Sequence, residues 1–300
     1  MRATPRCAHC EGRSVAQALE FISMNHSTRL AGQSVIVTGG TRGMGLEIAF
    51  ALVSAGANVV VTGRSQTDLD KLQQRAALLA NAGQLYGVAA DVRIMDDCMR
   101  VVAATVDRFG GITGLINNAG VAMRLVSELF EENPPPFWQI GAEAWRNIVD
   151  TNVSGVFYMS RCAIPMMLKR RKGRLINVSS SPRMMRLAGW SPYGASKAAI
   201  ESMSATWAQE LSAFGITVNV VRPGGKVDTG LFPNGGHGAL VSEGFLAPNV
   251  MNGLLVWLLS DSSDGVSGRR FNASLWDDSK HEDEAARAAM LPYPEEPYLY

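Results

Sequence analysis

The stretch Ser34-Val35-Ile36-Val37-Thr38-Gly39-Gly40-Thr41-Arg42-Gly43-Met44-Gly45 changes character twice. Residues 34–38 are a short β-branched, apolar run, which predicts a buried strand. Glycines at 39, 43 and 45 let the backbone turn sharply and approach a ligand closely. From 45 to 55 the apolar spacing becomes helical. A strand, a glycine turn and a helix start bring backbone N–H groups and the positive end of a helix dipole to one point, which suits a diphosphate. The spacing is T-G-x-x-x-G-x-G and not G-x-G-x-x-G, because position 48 is Ile. Thr38, Gly39, Thr41, Arg42, Gly43, Met44 and Gly45 are therefore candidate cofactor-binding residues.

The same alternation continues outward. Strands are predicted at 59–62, 85–90, 114–117, 175–179 and 217–221, with a weaker one at 269–273. Helices are predicted at 67–82, 95–109, 142–169, 192–214 and 249–259. Strands alternating with helices imply an α/β fold: a single Rossmann-type, doubly wound parallel sheet of about seven strands with helices on both faces. The expected catalytic domain spans 29–275, between an N-terminal extension (1–28) and an acidic, proline-containing tail (276–300). The long irregular stretches, 121–140 and 223–248, follow strand C-terminal ends, the side on which such sheets bind ligands.

The second strand ends in Val61-Thr62-Gly63-Arg64-Ser65, with no carboxylate to hold a ribose 2′-hydroxyl. Arg64, with Arg42 in the glycine turn, instead offers guanidinium forks to a 2′-phosphate. NADP(H) is the expected cofactor, with NAD(H) the alternative.

Tyr193-Gly194-Ala195-Ser196-Lys197 opens a predicted helix, with Ser191 as its cap and Pro192 in its first turn. Positions i and i+4 share a helix face, so phenol and ammonium project the same way. A lysine charge lowers the pKa of a nearby phenol. Ser180 stands thirteen residues earlier, at a strand end, where its hydroxyl would come beside Tyr193.

With these residues the sequence resembles the short-chain dehydrogenase/reductase family over about residues 29–272. Asp91-Val92 matches the family's adenine-contacting pair, and Asn117-Asn118-Ala119-Gly120 its N-N-A-G motif, so Asn118, Ala119 and Gly120 join the cofactor set. Asn152 matches the helix asparagine, and Asn219 with Pro223-Gly224 the segment after strand six. Val227 and Thr229 match the nicotinamide contacts, although the loop carries one extra residue. The resemblance implies Tyr193 as general acid or base and Ser180 as hydrogen-bond donor to the carbonyl oxygen. It implies that Lys197 tunes the tyrosine and holds the ribose, and that Asn152 keeps a relay water. It also implies a homotetramer or dimer acting on a small-molecule carbonyl or alcohol. The activity implied is NADP(H)-dependent interconversion of a carbonyl and a secondary alcohol. The alternatives are a non-catalytic NADP-binding sensor or assembly subunit, or a quinone or enoyl reductase on the same scaffold.

Composition narrows the classes. Hydrophobic residues make up 47% and charged residues 18% of 300, enough for a sizeable core and against global disorder. The net charge of +1 recruits no nucleic acid. The basic run 169–174 reads as a solvated turn. No apolar run approaches a membrane span, so the expected setting is cytoplasmic. Glu11 and Glu20 argue against organellar import through residues 1–28, and Met24 is an alternative start. Cys7 and Cys10 lack a second pair, His237 has no partner histidine, and no metal is expected. Cys162 reads as packing. Met184, Met185, Trp190, Phe232 and Phe245 are candidates for an apolar substrate wall. The three prolines at 134–136 predict a stiff second wall at Phe137 and Trp138, and with it a preference for compact or cyclic carbonyls.

Overall fold

The computed structural model describes residues 29–79, 83–232, 235, 240 and 244–292. The N-terminal extension, with Cys7, Cys10 and Met24, lies outside the described residues, as do His237 and the terminal tyrosines.

Ser34–Val37 (β1) is buried throughout. Val35 and Val37 join one apolar cluster, Ile36 the other. Gly43–Ser54 (α1) leads to Asn58–Gly63 (β2), which repeats the alternation with Val59 and Val61 against Val60. Successive strand side chains point to opposite faces, so uninterrupted apolar strands require cover on both. The chain continues through Gln66–Ala76 (α2), Leu85–Ala89 (β3), Met95–Phe109 (α3) and Gly114–Asn117 (β4). Then come Ala142–Val149 (α4), Gly155–Arg170 (α5), Gly173–Val178 (β5), Pro182–Met185 (α6) and Ser191–Leu211 (α7). Ile216–Arg222 (β6), Asn252–Leu259 (α8), Arg269–Asn272 (β7), Glu282–Ala289 (α9) and Met290–Leu291 (β8) complete it.

The strands lie in the order β3-β2-β1-β4-β5-β6-β7-β8. β1 to β7 pair in parallel and β8 closes the edge antiparallel to β7. Helices α1, α2, α8 and α9 cover one face through residues such as Ile48, Leu69, Leu255 and Ala286. Helices α3, α5 and α7 cover the other through Val101, Met159, Ala163 and Ala208. The order reverses between β1 and β4, which opens a crevice at their C-terminal ends.

The structure departs from the expected elements at several places. The helix expected over 142–169 is broken by a π-helical turn, Asp150–Ser154, that carries Asn152. The segment taken as an acidic surface tail contains α9 and β8, with Ala285, Ala286 and Ala289 buried. Three of its acids stand in the first turn of α9, where they suit the helix dipole and mask the short apolar stripe behind them. Ser191 lies inside α7; Trp190 holds the cap position and makes no side-chain cap. The run 169–174 is not simply solvated: Arg174 is buried and paired with Asp264, and Lys172 pairs with Asp261 at 2.7 Å.

Candidate active site

The crevice is a cleft of about 460 Å³. Its floor is the glycine turn, where Gly39 and Gly43 have φ of +65° and +54°, values that favour glycine. A methyl group at position 45 would fall 2.2 Å from the Gly39 carbonyl oxygen. No side chain caps α1 and no acid stands in its first turn. That leaves the helix start to an external anion. Thr38 is buried behind the turn, and its hydroxyl accepts from the amides of Asn118 and Ala119, each at 3.0 Å. The Asn118 amide donates to the carbonyls of Thr38 and Gly39 at 2.9 and 3.1 Å. Asn118 thus ties the end of β4 to the turn. These residues fit a dinucleotide: a backbone cradle for its diphosphate beside two arginines.

Arg42 and Arg64 are exposed and line the outer part of the cleft. Asp91 and Val92 line it as well. The sequence reading missed Arg93. Its guanidinium grips both Asp91 oxygens, at 3.0 and 2.6 Å, and donates to Asn147 Oδ1 at 2.6 Å. This pairing holds the Asp91 carboxyl below its ordinary value. Asn147 and Thr151 also line the cleft, from α4 and the π-helical turn. The i, i+4 spacing of that pair was visible in the sequence, but not which way their face would point. Of the residues after β6, Thr229 reaches the cleft and lies against Gly43. Pro223, Gly224 and Val227 build the base of that loop. Gly224 has φ of +104° and packs against Asn272 and Ser274, while Val227 is buried and bridges to Leu246.

At the inner end of the cleft, Gly120 brings Asn152 and Lys197 together. A methyl there would sit 3.4 Å from Asn152 Oδ1 and 3.7 Å from Lys197 Nζ. Asn152 is buried. Its oxygen accepts from the Val121 amide at 2.9 Å, and its nitrogen donates to the Val121 carbonyl and to Ser196 Oγ at 2.9 and 3.0 Å. The π-helical turn therefore laces the segment after β4 to α7. Ser180 and Tyr193 share a side-chain hydrogen bond. Burial pushes the Tyr193 phenol above its ordinary value, and the Ser180 bond opposes that shift. Lys197 donates to the Val178 carbonyl at 2.9 Å, with its Nζ 5.8 Å from the centre of the Tyr193 ring. Burial pulls Lys197 down to about 8, against the charge of Glu201 one turn along. The expected lowering of the tyrosine by the lysine does not set its direction: desolvation raises the phenol, and what opposes it is the Ser180 bond.

Beyond Tyr193 lies a small apolar cluster. Met123, Phe130 and Trp190 are buried, with Met184, Tyr193 and Phe232 packed against them. Trp190 meets Tyr193 edge-on at 5.8 Å and Phe130 at 5.3 Å. The expected wall at Phe137 and Trp138 is not there: the two rings are 68% and 72% exposed. The prolines beside them turn the segment along the surface, and Phe130, seven residues before Phe137, enters the cluster instead.

Residues 33–236 match the family model for short chain dehydrogenase. The chain belongs to the short-chain dehydrogenase family. It is an α/β oxidoreductase of a family that uses NAD(P)(H) and acts on carbonyl and alcohol groups. A 3-oxoacyl-[acyl-carrier-protein] reductase of Synechocystis is 35% identical over 198 residues, 66% of this chain and 75% of that protein. An L-fucose dehydrogenase of Bos taurus is 34% identical over 203 residues, 67% of this chain and 68% of that protein. A solved short-chain type dehydrogenase/reductase from Mycobacterium ulcerans superposes with a TM-score of 0.71 at 29% identity, covering 81% of this chain and 88% of that one. Among the described residues no helix is long and apolar enough to cross a membrane, and no three His, Cys, Asp or Glu side chains gather to hold a metal.

Proposed function

We propose that this short-chain dehydrogenase interconverts a carbonyl and a secondary alcohol with NADP(H), with Tyr193 as the proton donor. The observation that carries the reading is the convergence of Ser180, Tyr193, Lys197 and Asn152 beside Gly120, which lines the glycine-floored cleft. The relatives named above act on different substrates, so what they lend to this chain is the shared reaction type and not a substrate.

When bound, the nicotinamide supplies the hydride. Thr38 and Asn118 hold the glycine turn, and Gly39, Gly43 and Gly45 with the α1 N-terminus receive the diphosphate. Arg42 and Arg64 select the 2′-phosphate form, because no acid ends β2 to bind a free ribose. Arg93 keeps Asp91 in place at the adenine side. Ser180 donates to the substrate oxygen, and the phenol, held protonated by burial, gives its proton to that oxygen. Lys197 would hold the nicotinamide ribose, the phenolate would recover its proton from solvent, and Asn152 fixes the backbone at Val121. In the oligomer proposed on the family's pattern, each protomer carries a complete set of these residues.

Tyr193→Phe tests the assignment. Turnover should fall by at least about a hundredfold, while NADPH still binds, because only the proton donor is removed. Full turnover in the variant would overturn the assignment and favour the sensor reading.

A further inference from the structure

The cluster beside Tyr193 contains one ring that does not belong to its rigid frame. Phe130 is fully buried, and Trp190 immediately precedes α7, so both are set by the fold. Pro134 reinforces them: a methyl on Gly189, at φ of +79°, would fall 2.4 Å from the Pro134 Cβ. The segment after β4 is therefore clamped to the loop that delivers Trp190. Phe232 differs. It is half-buried, it follows Leu231 of the cleft lining, and its ring lies against Phe130 at 6.2 Å and 37°. On its outer side it meets Phe245 at 5.2 Å and the Lys226 ammonium at 5.5 Å. Lys226 pairs in turn with Glu131. The Lys226 side chain is 48% exposed, and such a pair holds a loop only weakly.

We propose that the substrate is a compact ring ketone and that Phe232 occupies the seat its ring takes. This rests on the carbonyl–alcohol reading above. The seat has an apolar floor of Met123 and Phe130, an edge-on indole in Trp190 and a hydroxyl pair, Ser180 and Tyr193, at one side. A flat ring with one carbonyl suits all three: it stacks where Phe232 stacks, and its oxygen is offered the Ser180 and Tyr193 hydroxyls. An extended acyl chain has no flat face to lay against the Phe130 ring or the Trp190 edge. Phe232 and Phe130 are thus specificity-determining residues, one a stand-in for the substrate and the other the surface it rests on.

The test compares NADPH-dependent reduction of 1-tetralone and of open-chain ethyl 3-oxobutanoate by the wild type, Phe232→Ala, Phe130→Leu and the surface control Phe137→Ala. The wild type should favour the ring ketone in kcat/KM by about tenfold or more, the scale of one well-filled apolar contact. Phe232→Ala should lower KM for 1-tetralone with kcat unchanged, since the internal competitor is gone. Phe130→Leu should abolish the ring preference, and Phe137→Ala should change neither value. If Phe130→Leu fails to fold, the half-exposed Phe232 position still decides. Preference for the open-chain ester, no turnover of 1-tetralone by NADPH-loaded protein, or an unchanged or raised KM in Phe232→Ala would overturn the proposal. Failure of the underlying reading looks different: Tyr193→Phe would then keep turnover on whichever substrate reacts.

Discussion

Lys197 shows how one residue answers to two surroundings. Its ammonium donates to a backbone carbonyl, which favours the charged form, yet burial lowers its pKa to about 8. A lysine with a lowered pKa is charged below that value and neutral above it. The rate of carbonyl reduction should therefore decline as pH rises through about 8. A Lys197→Arg variant, whose guanidinium stays protonated, should move the decline upward in a pH profile of kcat/KM. A profile that is the same in both proteins would separate the decline from Lys197. Arg64 makes a second residue-scale prediction. It is exposed on the cleft wall, so its value lies in what it binds and not in packing. Arg64→Asp should reverse or flatten a preference for NADPH over NADH in binding titrations, with Tm unchanged. Equal affinity for both cofactors in the wild type would remove the basis of the NADP assignment.

At the scale of elements, the turn between β1 and α1 does its work through missing side chains. Gly45 sits where the helix backbone and the Gly39 carbonyl nearly touch, and Asn118 Nδ2 would be 2.5 Å from an added methyl. Gly45→Ala must push the turn open. It should lose measurable NADPH binding and destabilise the fold by about 1–3 kcal/mol, as overpacking does. Gly141→Ala, where nothing lies within 4 Å, is the control and should leave both unchanged. Thermal melting with a cofactor titration reads both effects; normal binding in Gly45→Ala would count against the turn as the diphosphate cradle. The π-helical turn is the counterpart on the catalytic side. By inserting an extra residue into the helix it directs Asn152 onto Val121 and Ser196 together, a contact that an unbroken helix read from periodicity would not suggest.

Across the whole molecule, the catalytic helix is anchored to the far edge of the sheet by a buried ion pair. Glu201 of α7 pairs with Arg270 of β7 at 2.6 Å, with side chains 4% and 8% exposed. Taking the carboxylate from a buried guanidinium is strongly unfavourable, whereas replacing both members by apolar groups is often neutral. Glu201→Leu should lose about 3–5 kcal/mol in urea unfolding, and the double variant Glu201→Leu/Arg270→Met should recover most of it. A stable single variant would show that the pair does not hold α7 to the sheet. Next to Arg270, β8 covers the edge of β7. An uncovered edge strand would offer unpaired backbone groups to another chain.

Much of the candidate site was legible in the sequence because its information is local. Glycines required by a turn, a tyrosine and lysine one helical turn apart, and apolar runs of strand length are properties of neighbouring residues, and each keeps its meaning wherever the element packs. Thr38 to Gly45 and the Tyr193–Lys197 pair belong to this class, as does the order of strands and helices, whereas Asn118 to Gly120 were reached through the family resemblance. What only the tertiary structure decided depends on residues far apart in the chain. Arg93 reaches Asn147, Pro134 settles on Gly189, and Phe130 rather than Phe137 enters the cluster against Trp190. Nothing local distinguishes Phe130 from Phe137, since both are aromatic residues in one irregular segment. Which of them is buried follows from where the segment crosses the loop before α7, a matter of chain path that hydrophobicity alone does not encode. The same holds for α9, whose alanines become a core face only because one face of the sheet stands opposite them.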